Sequence, residues 1–171
     1  MTIENYSAEQ AANVLDDLIV LLQDGVESRA SIGFLPPLSS DDARAYWQSV
    51  FDDIRCNRRI LLAAWQDGMM IGSVQLELPT KPNACHRAEV QKLIVHRDAR
   101  RQGWGRKLME AIEHQARAAS RMLLVLDTRE ADAAEQLYRR NGYLEVGRIP
   151  QYARSDNGAL HPTVIFYKLL E

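Results

Sequence analysis

"VQKLIVHRDARRQGWGRKLMEAIE", residues 90–113, begins as an apolar strand, turns strongly basic, passes two glycines and ends with the spacing of an amphipathic helix. Five of the eleven residues from Arg97 to Lys107 are basic, in a chain with 21 Lys and Arg in all. Gly103 and Gly105 lie where the loop enters the helix, so an anion could closely approach the unpaired N–H groups there. The stretch therefore predicts either a phosphate-binding loop or a solvated basic turn.

The bulk composition is that of an ordinary soluble protein. The chain has 171 residues, of which 46% are apolar and 26% charged, and we expect residues 1–171 to form a single domain. A net charge of -2 argues against a nucleic-acid partner. The sequence shows no signal-peptide pattern, and its apolar runs are too short to span a membrane. With only two cysteines, we expect a cytoplasmic protein without a disulfide framework.

Hydrophobic spacing and turn residues predict alternating helices and strands. Helices are predicted over 8–25, from Ser40 or Asp41 through Ile54, over 103–119 and over 131–141, and strands over 59–66, 69–78, 88–95, 122–127, 143–149 and 163–170. The strand, helix, strand order of residues 88–127 predicts two parallel neighbouring strands, whereas the flanking hairpins predict antiparallel ones. The expected fold class is α/β (α+β), with a mixed central sheet of about six or seven strands flanked by helices.

Two familiar phosphate loops do not fit residues 97–107. A P-loop needs Gly-Lys followed by Ser or Thr, but Gly105 is followed by Arg106, Lys107 and Leu108. A dinucleotide-binding fingerprint needs a small residue where Leu108 stands. The loop therefore belongs to neither class.

A third pattern does match. Arg100-x-x-Gly103-x-Gly105, directly after a strand, resembles the acyl-CoA loop of the GCN5-related N-acetyltransferase (GNAT) family. The stretch "DTREADAAEQLYRRNGYLEV" (127–146) resembles that family's second conserved region, and the likeness covers roughly residues 60–170. Within the family the chain most resembles the tabtoxin resistance acetyltransferases, through "SIGF" (31–34), "RAEVQKL" (87–93), "LDT" (126–128), "LHPT" (160–163) and "YK" (167–168).

The resemblance implies a binding site for acetyl-CoA as co-substrate. In the family the central parallel strands splay apart, and the cofactor enters between them, so we expect unpaired strand backbone there. The implied cofactor-binding residues are Leu93, Ile94 and Val95 for the pantetheine arm, and Arg100, Arg101, Gln102, Gly103, Trp104, Gly105 and Arg106 for the pyrophosphate. No metal is expected, because His86 and His96 have no partners at metal-ligand spacing.

The chemistry implied by the resemblance is acetyl transfer to an amine. An ammonium must lose a proton before it can attack, and Glu89 and Asp127 are the candidate bases. The family's tyrosine that protonates the departing thiolate corresponds to Tyr138. Each residue also has a structural reading: Glu89 as a solvated strand residue or a partner of Arg87, Asp127 as a cap, and Tyr138 as a half-buried aromatic.

The strand at 88–95 has an irregular pattern. Strict alternation puts Glu89 and Gln91 on one face with Leu93, and Val90 on the other face with Lys92, so each face mixes polar and apolar side chains. A β-bulge would re-aim these side chains. We predict one between Glu89 and Leu93.

The predicted function is transfer of the acetyl group of acetyl-CoA to a small amine, in a ternary complex without an acyl-enzyme. The likeness to toxin-resistance enzymes indicates an amino-acid-like toxin or antibiotic as acceptor. The loops "SIGFLPPLSS" (31–40) and "QYARSDNGALHPT" (151–163) are expected to cover the acceptor, with His161 and Tyr152 as substrate-binding candidates. The alternatives are a non-catalytic acyl-CoA sensor and a protein or peptide N-acetyltransferase. The C-terminal strands of the family also favour a homodimer.

Overall fold

The computed structural model describes residues 2–171, which fold around one seven-stranded sheet in the order β1-β2-β3-β4-β5-β7-β6. The strands are β1 (Thr2–Asn5), β2 (Arg59–Gln66), β3 (Met69–Glu77), β4 (Arg87–Val95), β5 (Leu123–Arg129), β6 (Leu144–Arg154) and β7 (Leu160–Leu169). The helices are α1 (Ala8–Asn13), α2 (Leu15–Glu27), α3 (Ser40–Arg55), α4 (Trp104–Ala118) and α5 (Ala133–Arg140). The predicted mixed sheet flanked by helices is confirmed.

The strand directions follow the predicted pattern. β4 and β5, which α4 connects, are parallel, and the other neighbours in the sheet are antiparallel. Asp67 and Gly68 form the β2–β3 turn with φ angles of 51° and 79°, as the Asp-Gly pair predicts. The parallel pair therefore lies at the centre of the sheet, where cofactor sites of α/β proteins are commonly built.

Two apolar clusters cover the two faces of the sheet. The cluster beneath α4 and α5 contains Leu108, Ile112 and Tyr138, packed against strand residues such as Leu126. The cluster on the other face joins α1, α2 and α3 to β2 and β3, with Trp47 at its centre and fully buried. In β5, Leu124 and Leu126 are buried in the first cluster, whereas Leu123 and Val125 on the other face are half-buried and Met122 before them is exposed. The continuous apolar run "MLLVL" therefore does not reflect full burial on both faces.

Three details differ from the sequence-based expectations. The helix predicted over 8–25 is broken at Val14, which has φ -117° and ψ 23° and ends α1 before α2 begins. Ser39, rather than Ser40 or Asp41, caps α3, and its hydroxyl accepts from the Asp42 N–H at 3.0 Å. β1 was not predicted, because a strand of four residues is too short to show an alternating hydrophobic pattern. None of the helices of residues 2–171 has the length and apolar character needed to cross a membrane.

Candidate active site

The β4–β5 pair opens into a gap. Its ladder consists of Arg87 opposite Leu123, Ala88 opposite Leu124 and Glu89 opposite Val125. Beyond those pairs β4 continues to Val95 and β5 to Arg129 without pairing with each other. The expected splay is confirmed, and the free edge of β4 carries backbone groups that an extended ligand could pair with.

A β-bulge lies in β4 beside this gap. Gln91 pairs with Gln75 and Ile94 with Ser73, so two residues of β4, Lys92 and Leu93, stand opposite Val74. Lys92 has a φ of 50°, in the left-handed region that a residue with a side chain rarely adopts. A bulge was predicted between Glu89 and Leu93, and β4 does contain one. The extra residue lies between Gln91 and Ile94.

The bulge sorts the side chains of β4. Ala88 and Val90 before it, and Leu93 and Val95 after it, all pack into the cluster beneath α4. Glu89, Gln91 and Lys92 therefore point to the opposite face, where Ile94 joins the cluster of α1 to α3. One extra residue thus turns a mixed strand into one apolar face and one largely polar face.

Glu89 is held by an amide. The Gln91 side chain donates from Nε2 to Glu89 Oε1 at 2.9 Å and to Glu77 Oε2 at 2.8 Å. Arg59 in turn donates to Gln91 Oε1 at 3.1 Å, and its side chain is only 12% exposed. Asp53 accepts from Arg59 at 3.1 Å and completes the chain of contacts. Arg59 and Gln91 thus position Glu89, and no motif in the sequence indicated either residue.

Asp127 lies on β5, two residues beyond the last β4–β5 pair. Its neighbours Leu126 and Thr128 are buried, whereas the Asp127 side chain is exposed. The Thr163 hydroxyl of β7 lies 2.6 Å from Asp127 Oδ2 and 2.9 Å from the Thr128 carbonyl oxygen. Since Leu126 packs beneath α4, alternation directs Asp127 to the same face of the sheet as Glu89. The structure therefore brings the two predicted bases to one side of the gap.

Tyr138 approaches from the opposite face. It is buried on α5, 6.1 Å from the ring of Phe166 and 6.0 Å from that of Tyr143, measured between centroids. Its hydroxyl takes part in none of the side-chain hydrogen bonds of residues 2–171. Burial raises the pKa of Tyr138 well above its usual value, and the charges of Asp132 and Asp127 raise it further. The phenol therefore keeps its proton near neutral pH and is free to donate it.

The loop before α4 presents a row of free backbone donors. The N–H groups of residues 101 to 106 donate no hydrogen bond to an acceptor in the described chain, and the first helical bond is donated by the Lys107 N–H to the Gly103 carbonyl oxygen at 3.1 Å. Gly103 caps α4 with a φ of 84°. A Cβ at Gly105 would lie 3.0 Å from Leu137 Cδ2. Free N–H groups at a helix start, with glycines that admit a close ligand, fit a phosphate group.

Asp24 of α2 anchors this loop from outside. Its carboxylate accepts from the Arg97 N–H at 3.0 Å and also from the Arg97 guanidinium. His96 Nε2 lies 3.7 Å from the same carboxylate, and Arg100 Nη2 lies 3.9 Å from it. Arg100 also donates to the Val95 carbonyl oxygen at 3.0 Å. Asp24 is nine-tenths buried, yet it lies 73 residues before its partner, so no local pattern predicts this contact.

A cavity of about 240 Å³ lies between the loop of residues 31–40 and the end of the β6–β7 hairpin. Most of the segment 151–163, expected as a covering loop, is strand instead, because β6 extends to Arg154 and β7 begins at Leu160. One wall comes from residues 29–36 and the other from residues 153–156, and Arg129 of β5 lies between them. Neither of the predicted substrate-binding residues lines it: His161 is half-buried on β7, and Tyr152 is 57% exposed on β6. Within residues 2–171, no group of three His, Cys, Asp or Glu side chains is arranged to hold a metal ion.

Comparison with known proteins bears directly on this arrangement. Residues 57–145 match the model of the acetyltransferase (GNAT) domain family. The chain belongs to the GNAT acetyltransferase family. It is 33% identical over 118 residues to an uncharacterized N-acetyltransferase of Azospirillum brasilense encoded in the hisH-hisA intergenic region, an alignment that covers 68% of each chain.

Solved structures of GNAT acetyltransferases share the fold. A ribosomal-protein-alanine N-acetyltransferase from Brucella melitensis superposes with a TM-score of 0.83 at 22% identity, covering 99% of this chain and 100% of that one. The structure of yncA from Salmonella typhimurium, solved with its cofactor acetyl-CoA, superposes with a TM-score of 0.78 at 18% identity. The superposition covers 100% of this chain and 94% of that one. An aminoglycoside 6'-acetyltransferase type Ii superposes with a TM-score of 0.75 at 19% identity, covering 99% of this chain and 97% of that one. The Brucella enzyme and the aminoglycoside enzyme are named for different acceptors, so the shared fold does not specify the acceptor.

Proposed function

We propose that this GNAT acetyltransferase transfers the acetyl group of acetyl-CoA to the amine of a small molecule, by direct attack in a ternary complex. The observation that carries the proposal is the open β4–β5 gap, which has two carboxylates on one face and a buried phenol on the other. The free N–H groups of residues 101 to 106 supply the donors that a pyrophosphate needs. The family and the acetyl-CoA of yncA support the choice of cofactor.

Cofactor binding is expected to use the backbone more than side chains. The unpaired edge of Leu93, Ile94 and Val95 would hold an extended pantetheine arm as an added strand. Residues 101 to 106 would hold the pyrophosphate, while Arg100 is already bonded to the Val95 carbonyl and shapes the loop. When bound there, acetyl-CoA supplies an activated thioester at the gap.

The chain's own residues would then move two protons. Glu89 and Asp127 face the acceptor side of the gap, where a carboxylate accepts the ammonium proton and leaves a nucleophilic amine. Gln91 and Thr163 hold these carboxylates in place through hydrogen bonds of 2.9 and 2.6 Å. Tyr138 is protonated at neutral pH and would donate its proton to the departing sulfur.

The acceptor side favours a small molecule over a peptide. The cavity of about 240 Å³ is walled by the loop of residues 31–40 and the end of the β6–β7 hairpin, and it is smaller than typical drug-sized sites. A peptide acceptor would require an open groove along the same surface. The residues shared with tabtoxin resistance acetyltransferases support our further proposal that the acceptor is an amino-acid-like toxin or antibiotic.

The test is release of CoA thiol in the presence of a panel of amines. We expect turnover by the wild type and a loss of at least about a hundredfold in Glu89→Gln/Asp127→Asn, because the base is removed. Asp16→Asn, on an exposed side chain of α2, is the control and should leave the rate unchanged. Acetyl-CoA binding with no turnover of any small amine would overturn the proposal and favour a sensor. Turnover of peptides alone would favour the peptide enzyme.

A further inference from the structure

Lys92 places an ammonium on the same face of β4 as Glu89, where its contacts are two aromatic rings. Its Nζ lies 5.9 Å from the ring centroids of both Phe34 and Tyr46, and 3.4 Å from where a Cβ would stand at Gly33. The side chain is half-buried, yet within residues 2–171 it donates no hydrogen bond and has no carboxylate within 4.0 Å. Two ring faces at this distance replace only part of the hydration that a half-buried ammonium loses, and an anionic ligand could supply the rest.

The bulge is the reason that Lys92 faces this way. Without the extra residue, alternation would direct residue 92 with Val90 into the apolar cluster beneath α4. The bulge instead holds a lysine at a φ of 50°, a conformation that is unfavourable for a residue with a side chain. Strained backbone retained beside a reactive site points to a functional demand on that position.

The cavity next to Phe34 has a positive lining as well. Three arginines, Arg29, Arg129 and Arg154, and one acidic residue, Asp156, line it. Arg29 pairs with Asp156 at 3.2 Å and Arg129 with Asp132 at 3.5 Å, whereas Arg154 has no ion pair within residues 2–171. Arg129 follows Asp127 by two positions on the same face, a strand repeat of about 7 Å. Arg129, the cavity residue nearest in sequence to a candidate base, therefore lies about 7 Å along the strand from Asp127.

The charges around Lys92 divide the acceptor face into two parts. Burial lowers the pKa of Lys92, and Arg59 lowers it further, while the carboxylates of Asp127, Glu89 and Glu77 oppose that change. These carboxylates suit the amine end of an acceptor. Lys92 and the cavity arginines suit an acidic group elsewhere on the same molecule, and they disfavour an additional positive charge.

We propose that Lys92 is a specificity-determining residue: its ammonium binds a carboxylate of the acceptor and discriminates against acceptors that carry only positive charge. The inference rests on the proposed acetyl transfer to a small amine. A carboxylate gives Lys92 the charge-assisted hydrogen bond that it lacks in the chain itself. A polyamine would instead bring a second cation beside Lys92 and lose affinity through repulsion.

The test compares amino acids with their own amides, which have nearly the same shape and lack the negative charge, and it compares the acid-to-amide ratio between protein variants so that the different amine pKa values of the two substrates cancel. CoA release is measured for several such pairs and for spermidine, with wild type, Lys92→Met, Lys92→Gln and the control Lys81→Met, whose lysine is exposed far from the cavity. We expect wild type to prefer each acid over its amide by about tenfold to a hundredfold in kcat/KM, the range for a hydrogen bond to a charged group. Both Lys92 variants should lose that preference, and Lys81→Met should keep it.

The outcomes separate this inference from the proposed function. Equal acid-to-amide ratios in wild type and both Lys92 variants would overturn the role of Lys92 while acetyl transfer stands. A wild type that prefers amides or spermidine would also overturn it, without the need for any variant to fold. Acetyl-CoA binding with no turnover of any amine would overturn the proposed function itself.

Discussion

Gly72→Ala tests the packing that sets the geometry of the bulge. A Cβ at Gly72 would lie 2.9 Å from the Ile94 carbonyl oxygen and 2.9 Å from Leu108 Cδ1. The Leu108 methyl can rotate away, but the carbonyl belongs to the β3–β4 ladder, in which Gly72 pairs with Val95. The two strands must therefore separate by a few tenths of an ångström next to the bulge. Overpacking of this kind costs about 1–3 kcal/mol of unfolding free energy.

The expected result is measurable by two assays. For a chain of this length the loss corresponds to a fall in Tm of about 3–10 °C in a thermal melt. Because Val95 and Ile94 border the cofactor gap, kcat/KM should also fall by roughly tenfold to a hundredfold. Gly147→Ala is the matched control, since a Cβ there meets no atom within 4 Å and should be nearly neutral. A Gly72→Ala protein with unchanged Tm and kcat/KM would refute this reasoning.

Three further predictions concern the site and its surroundings. Tyr138→Phe should lower kcat by about a hundredfold while Tm changes little, because the hydroxyl takes part in none of the side-chain hydrogen bonds of the described chain; unchanged kcat would eliminate its role as proton donor. Asp24→Ala should raise the KM for acetyl-CoA by about tenfold with little change in kcat, because the hydrogen bonds from Arg97 to Asp24 are lost. An unaltered KM in the folded variant would count against a role of Asp24 in shaping the loop. Burial raises the pKa of Tyr46 to about 12. The stability that the protonated Tyr46 contributes is therefore complete below the pKa of about 10 in the unfolded chain, and it is lost as the pH rises through 12. Urea titrations at pH 9 to 12 should show a smaller decline for Tyr46→Phe, and an identical decline would contradict the assignment.

Local sequence signals predicted the centre of the fold well. The strand, loop and helix of residues 87–118 agree with the prediction within about two residues, because Gly103 and the apolar period of α4 mark the transition clearly. The same signals indicated the parallel pair and the bulge. The mixed polarity around Glu89 and Leu93 was informative because a regular strand could not satisfy it.

Contacts between distant segments were not predictable in the same way. Asp24 reaches the loop across 73 residues, and Arg59 reaches Gln91 across 32, so no local period reports either contact. Strict alternation predicts that Lys92 lies on the same face as Val90. The structure places it on the opposite face, because the pairing of β4 with β3 puts the extra residue of the bulge at this point. His161 and Tyr152 were expected at the acceptor, but the register shifts of the β6–β7 hairpin leave Ala153 and Arg154 lining the cavity instead.

The central claim is that the loop before α4 binds acetyl-CoA through its backbone. Titration calorimetry of acetyl-CoA with the wild type and with Gly103→Val/Gly105→Leu tests it most directly. Valine is strained at the φ of 84° of Gly103, and a Cβ at Gly105 would lie 3.0 Å from Leu137 Cδ2, so a leucine there must displace the start of α4. With the fold of each protein confirmed by circular dichroism, we predict clear binding by the wild type and a loss of at least about a hundredfold in the double variant. Equal affinities in the two folded proteins would contradict the claim and leave residues 97–107 as a basic surface turn.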